Sequence, residues 1–348
     1  MQHIGIDLGG MESQVCVRAP DGELLFEHKV STHSLPRFFK RQPRSRVIME
    51  TCSEAFTLAE DAAASGHDVR VVPATLVRTL GVGQRGIKTD KRDARVLSEV
   101  STRVDLPGVH VRSRSARNWS SLLKMRQRLV EARTQMINSV RGWLRTQLIS
   151  VRTTGTTRTF PARVRTKLLD QPIGMPAFVE RQLSVVDELN NQIKAADAEV
   201  KSHAEEDPRC RRLMTVPGVG PMVASTFVAA VDDVGRFRSA HLLESYLGLT
   251  PGERSSSTRL RKTGITKAGP ANLRRVLGQA AWYILSRRPT DPLAAWGRQI
   301  AERRGRQIAA IAICRKLVGI LYAIWRDDTT YDPEKVSRLA AGTWDTSR

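Results

Sequence analysis

His3-Ile4-Gly5-Ile6-Asp7-Leu8-Gly9-Gly10 sets a short apolar run against an acid and a glycine pair near the start of a 348-residue chain. An apolar run of this length bounded by a turn signal reads as a buried strand. Ser13 to Arg18 then alternates with a period of two, Pro20-Asp21-Gly22 turns the chain, and Glu23 to Val30 supplies a third strand, so the region begins as a β-meander. After Pro36 a basic helical stretch leads to Arg46-Val47-Ile48-Met49, a second buried-type strand that also ends on an acid, Glu50. Ser53 is placed to cap a helix over 54–64 that Gly66 stops, and Val69 to Pro73 makes a fifth strand before the glycine-rich segment 81–86. Lys88-Thr89-Asp90-Lys91-Arg92-Asp93-Ala94-Arg95 follows, with two carboxylates three positions apart at the start of a helix and hence on one face.

Each acid has a plain explanation by itself. Asp7 suits a turn, Glu50 a solvated strand end, and Asp90 and Asp93 a first helical turn, where the helix dipole favours negative charge. Their order says more. Strands of an open α/β sheet present their carboxyl ends to ligands. The succession of three hairpin strands, helix, strand, helix, strand and acid-bearing helix is that of the ribonuclease-H-like fold, with the first strand central. Asp7, Glu50, Asp90 and Asp93 would then form a four-carboxylate cluster. Such charges raise one another's pKa unless cations lie between them. Two Mg²⁺ ions about 4 Å apart answer that need and stabilise both oxygens of a phosphodiester displacement. A reading of a different class starts at the same place, because Gly5-Ile6-Asp7-Leu8-Gly9-Gly10 resembles the phosphate hairpin of actin-like sugar kinases. That likeness ends with the first hairpin, since no second Asp-containing phosphate loop or glycine-rich nucleoside site follows.

Lys and Arg number 56 against 35 Asp and Glu, a net charge of +21. The imbalance points to a polyanionic partner, nucleic acid first and an anionic membrane second. No signal-peptide pattern opens the chain, and its most apolar segment, Ile308 to Trp325, is broken by Arg315 and Lys316. A soluble cytoplasmic protein without a membrane partner is therefore expected. Cys16, Cys52, Cys210 and Cys314 lie too far apart for a zinc site or a disulfide framework, which fits a reducing compartment.

From about Ser115 the pattern becomes helical. Leu122, Leu129, Met136 and Trp143 recur every seven residues, and after a loop at 153–159 so do Val179, Val186, Ile193 and Val200, which predicts an antiparallel coiled-coil arm. Arg126, Arg133 and Arg141 ride on its first helix, either as a solvated face or as phosphate contacts. Leu213 to Pro221 reads as a helix-hairpin-helix-like element in which the backbone at Gly218 and Gly220 takes a DNA phosphate, although buried helical hairpins use such glycines simply to turn. The polar stretch Gly252 to Gly264, with the triplet Ser255-Ser256-Ser257, reads from composition as a flexible loop. Yet a hydroxyl among cations such as Arg259, Arg261, Lys262 and Lys267 is also what attack on a phosphodiester requires. A helix over 272–285 and further helices over 301–325 complete an α/β plus all-α chain. Its expected divisions are an α/β domain at 1–110, a helical arm at 111–205, a helical domain at 206–330 and a tail at 331–348.

Taken together, Asp7, Glu50 and Asp90-x-x-Asp93, then Val-Pro-Gly-Val-Gly at 216–220, Gly-Leu-Thr-Pro at 248–251 and Ile-Thr-Lys-Ala-Gly at 265–269 before Asn272-Leu273-Arg274-Arg275, resemble the DEDD transposases of the IS-one-ten insertion-sequence family over nearly the whole chain. The resemblance implies a RuvC-like first domain, as in Holliday-junction resolvases, whose Asp7, Glu50, Asp90 and Asp93 hold Mg²⁺, with Mn²⁺ able to substitute. It implies a serine nucleophile five positions after the proline of Gly-Leu-Thr-Pro, which maps to Ser256. Where many members carry glycine next, this chain has Ser257, so Ser255 and Ser257 stay open. Donor and target DNA and a non-coding bridge RNA as guide are implied in the same way; because the acids and the serine lie far apart in sequence, a site completed between protomers, and hence a homo-oligomeric dimer or tetramer, is expected in the bacterial cytosol. The expected function is that of a site-specific recombinase cutting and rejoining DNA through that serine. A RuvC-like nuclease or resolvase using water is the alternative, and a nucleic-acid-binding scaffold with an inactive site is a third reading.

Overall fold

Alternation along the N-terminal strands decides how the first sheet is built. In the computed structural model, which describes residues 1–79, 90–151, 156–256 and 259–341, the chain divides into two units, Met1–Arg114 and Ser115–Arg348. Unit 1 contains β1 (Gln2–Asp7), β2 (Glu12–Arg18), β3 (Leu24–Ser31), α1 (Leu35–Arg41), β4 (Ser45–Glu50), α2 (Ala55–Ala64), β5 (Asp68–Val72), α3 (Ala74–Thr79) and α4 (Asp90–Arg103). The five strands form one mixed sheet in the order β3-β2-β1-β4-β5. β1 is central, antiparallel to β2 and parallel to β4, and β4 is parallel to β5. Ile4, Ile6, Val47 and Met49 turn to one face and pack with Leu35, Phe39, Leu58 and Ala62 of α1 and α2. Ile48 and Val72 turn to the other face and meet Leu97 of α4. Central strands covered on both faces read as continuous apolar runs, which is why β1 and β4 were legible.

Two local readings are corrected, and a third is not described. Ser53 is not the cap of α2; Glu54 holds that position and its side chain makes no capping bond. A short helix, α3, follows β5 directly, where the sequence pattern passes straight to glycines. The glycine-rich segment 81–86 itself lies outside the described residues.

Unit 2 begins with α5 (Arg114–Thr146), α6 (Phe160–Leu169) and α7 (Ala177–Glu206). Pairings of Trp119 with His203, Arg126 with Asp197, Arg133 with Asn190 and Trp143 with Phe178 show that α5 and α7 run antiparallel. α6, unforeseen within the expected connection, adds Phe160, Val164 and Leu168 to the apolar cluster between them. Next come α8 (Pro208–Leu213), α9 (Pro221–Val231), α10 (Ala240–Tyr246), β6 (Pro251–Ser256), β7 (Arg259–Ile265), α11 (Ala271–Arg287), α12 (Pro292–Arg304), α13 (Arg306–Arg326) and α14 (Pro333–Ala341). Asp207 caps α8 by accepting from the backbone of Arg209 and Cys210. Helix α13 is long and apolar enough to cross a membrane by composition. Its Ile313, Leu317, Leu321 and Trp325 are instead part of the main apolar core of this unit. Two expectations change here. The described part of the serine stretch forms an antiparallel ribbon, β6–β7, and the presumed tail contains α14, whose Val336 joins the same core.

Candidate active site

The edge of the sheet where β1 and β4 stop is set by one close packing contact. A Cβ on Gly5 would fall against the carbonyl oxygen of Ala94 and lie 2.5 Å from the backbone nitrogen of Ser98, so α4 rests directly on the β1 backbone. Further along, His3 Nδ1 and Ser101 Oγ share a hydrogen bond of 2.5 Å, and Arg18 Nε donates to Ser98 Oγ at 3.2 Å. Residue numbers fall along α4 as they rise along β1, so the helix runs antiparallel to the strand. Its N-terminus therefore lies at the carboxyl end of β1.

Three of the four expected acids are thereby brought to one edge. Asp7 is the last residue of β1 and Glu50 the last of β4. The register pairs Ile6 with Met49, so Asp7 and Glu50 are the next positions on neighbouring parallel strands. Asp93, one residue before Ala94 and four before Leu97, lies on the sheet-facing stripe of α4 and is only 3% exposed. Asp90 is the first residue of the same helix; its side chain lies outside the described residues. Among the described residues, which leave out the Asp90 side chain, no three His, Cys, Asp or Glu side chains group closely enough to hold a metal ion. A donor set of carboxylate oxygens, with neither imidazole nor thiolate, suits a hard divalent cation in chemistry.

Ser256 is the last residue of β6, opposite Arg259, with Arg254 opposite Arg261 and Glu253 facing Lys262 across the ribbon. Ser257 lies outside the described residues. Lys267 has an exposed side chain and a left-handed backbone, φ 57°, and its N–H donates to Gly248 O at 3.0 Å. The two glycines of the hairpin between α8 and α9 differ. Gly218, at φ 80°, is pressed against Ile284 and the Ala280 carbonyl of α11, whereas a Cβ on Gly220 would meet nothing within 4 Å. Of the two, only Gly220 has open space where a side chain would stand.

Three arginines of α5, Arg126, Arg133 and Arg141, are engaged within unit 2. Arg126 Nε lies 2.8 Å from Asp197, Arg133 Nη1 donates to Asn190 at 3.1 Å, and the Arg141 guanidinium lies 5.2 Å from the Phe160 ring centre. Burial and the nearby Arg126 hold the pKa of Arg133 below its ordinary value, and the same two causes act on Arg275 of α11. Arg275 thus belongs to a half-buried guanidinium group that the seven-residue pattern of α5 could not reveal, because its members come from separate helices. Gly5 was missed as well, though a glycine inside an apolar strand is itself a sign of close backbone approach.

Family models extend these observations. Residues 4–148 match a transposase model of the DEDD, IS110 type, and residues 210–295 match one described as Transposase IS116/IS110/IS902 family. Both models describe transposases, enzymes that cleave and rejoin DNA. A probable family 20 transposase of Pseudomonas aeruginosa is 30% identical over 344 residues, covering 96% of this chain and 99% of the relative. The transposase for insertion sequence element IS1111A of Coxiella burnetii is 26% identical over 94% of this chain and 90% of its own length. That for IS1328 of Yersinia enterocolitica is 27% identical, at 94% and 98%. The chain belongs to the IS116/IS110/IS902 family of transposases.

Proposed function

We propose that this transposase exchanges DNA strands through Ser256, with Asp7, Glu50, Asp90 and Asp93 as ligands for divalent metal, in a ribonuclease-H-like, RuvC-related first domain. The observation that carries the reading is the meeting of β1, β4 and the N-terminus of α4 at one sheet edge, each contributing an acid there. The sheet order with β1 in the centre supports the fold assignment. A divalent cation, Mg²⁺ or Mn²⁺, held by these oxygens supplies Lewis-acid polarisation of a phosphoryl group. The Oγ of Ser256 attacks the phosphorus. A serine–phosphate bond forms as the bond to the 3′-oxygen breaks; the serine proton passes to water and the leaving oxygen takes one from water. Attack by the freed hydroxyl of another strand reverses the step and rejoins DNA. Cations at 254, 259, 261 and 262 offset phosphate charge, and the backbone N–H of Gly220 is offered to the DNA backbone. A structured RNA transcribed from the non-coding ends of the element guides the choice of DNA, and the active form is an oligomer.

The test is a denaturing gel of full-length protein, that RNA and labelled duplex carrying the element ends. A protein–DNA adduct that requires Mg²⁺ and disappears in Ser256→Ala and in Asp93→Asn supports the proposal. Cleavage with no adduct would favour water as nucleophile, and unchanged cleavage in Asp93→Asn would remove the acids from the chemistry.

A further inference from the structure

The ribbon β6–β7 has two strands, and such a pair is marginal without outside support. Its support is a knot of backbone hydrogen bonds at the base. α10 ends with Gly248 at φ 67°, where Gly248 N–H donates to Ser245 O at 2.9 Å and Leu249 N–H to Glu244 O at 3.0 Å, the Schellman pattern. On the returning side, Thr266 N–H donates to Thr250 O at 2.9 Å and Lys267 N–H to Gly248 O at 3.0 Å. The crossing is tight. A Cβ on Gly248 would lie 2.5 Å from Ala268 N, and one on Gly269 would strike the Tyr246 carbonyl oxygen.

Arg274 closes this knot. Its Nη1 lies 3.1 Å from Leu247 O on the leading side, and 3.3 Å and 2.9 Å from Ala268 O and Gly269 O on the returning side. The first acceptor is a carbonyl at the end of α10, a group with no partner inside its own helix. Arg274 is itself fixed, since its backbone N–H donates to Pro270 O at 3.2 Å and its neighbours Leu273, Val276 and Leu277 are buried in the main core of unit 2.

We infer that Arg274 is a positioning residue whose guanidinium locks the two ends of the ribbon together and so sets where Ser256 stands; this rests on the reading of Ser256 as the nucleophile. The leverage is large. Ser256 is five residues beyond Pro251, about 17 Å along the strand, so a tilt of about 5° at the base moves it by about 1.5 Å. Misplacement of a reacting group by about 1 Å can cost roughly 100-fold in rate. All three contacts converge on one nitrogen, Nη1, whose two N–H groups are shared among the three carbonyls; lysine keeps a charge but on a shorter, flexible stem without the planar fork that fixes its direction.

The experiment compares full-length wild type, Arg274→Gln and Arg274→Lys on labelled duplex carrying the element ends, with RNA transcribed from its non-coding ends. For Arg274→Gln, the half-saturating DNA concentration stays within about 3-fold, the single-turnover cleavage rate falls at least 30-fold, and amide hydrogen exchange over 251–265 speeds up at least 10-fold. Arg274→Lys falls between, and carries the comparison should the glutamine variant melt below the assay temperature. Unchanged exchange in the ribbon overturns the inference, whether or not cleavage slows, because slow cleavage on an unaltered ribbon means Arg274 acts on DNA directly. Faster exchange with full cleavage overturns it too. Cleavage retained in Ser256→Ala would refute the nucleophile reading instead, and is seen separately from the exchange comparison.

Discussion

The acid-bearing edge of unit 1 and the serine-bearing ribbon of unit 2 are held by opposite means. The acids stand at the ends of buried strands and of a helix pressed onto Gly5 without an intervening side chain. Core packing of that density does not deform continuously. The serine stands at the tip of two strands gripped at their base by backbone carbonyls, two glycines and one arginine. The first arrangement suits ligands that must keep fixed spacing, the second a nucleophile whose aim is set by a few hydrogen bonds. Substitutions at the two supports should therefore fail differently.

The largest effect is expected at the first support. Gly5→Val inserts a side chain where Ala94 and Ser98 already touch the strand, costing about 3 kcal/mol. Calorimetry should show unit 1 melting roughly 10–20 °C lower; a shift under a few degrees would mean α4 can lift away and that the edge is not rigid. Gly269→Ala comes next, at about 1–3 kcal/mol for a strained φ of 97° and a backbone clash. Here the result that supports the contrast is accelerated exchange over 251–265 with unit 1 melting unchanged.

A smaller effect is expected at the N-cap of α8. Burial alone would push the Asp207 carboxyl up, but the Arg209 guanidinium 2.7 Å away and the backbone N–H groups it caps hold it below the ordinary range. A depressed folded pKa stabilises above the unfolded value, and the gain is lost as pH falls through the folded one. Asp207→Ala should cost about 1 kcal/mol at pH 7, a difference that shrinks below about pH 4 in paired urea titrations. Least of all, burial draws Lys316, over the Trp296 ring, down to about 8 despite the opposing charge of Glu244. The unfolded chain then binds more protons between about pH 8 and the ordinary lysine value near 10.4, so stability rises across that window. Lys316→Met should flatten this rise; an unaltered pH slope would refute the shift.

Legibility in the sequence follows the same divide. β1 and β4 were readable because each passes from apolar residues to an acid within six positions, and the start of α4 because two acids stand three positions apart, all purely local signals. The ribbon was not. Glycine, serine and arginine between 252 and 264 carry no apolar alternation, and the ribbon's base is held by backbone bonds between 248–250 and 266–267 and by the Arg274 side chain, which composition cannot express. α6 and α14 escaped for a related reason: Phe160, Val164 and Leu168 make an apolar stripe too short to stand out, and among the described residues of α14 only Val336 joins the core. The acids' order was visible, whereas their support, Gly5 beneath Ala94, emerged only with the packing of helix on sheet.

The central claim is that Ser256 forms the bond to DNA. Trypsin cuts after Arg254 and Arg259, so a trapped adduct digested with trypsin and nuclease releases the peptide 255–259, and fragmentation mass spectrometry assigns the nucleotide to one residue. The account predicts a phosphodeoxynucleotide on Ser256. Its appearance on Ser255 or Ser257, or cleaved DNA with no modified peptide, would contradict it.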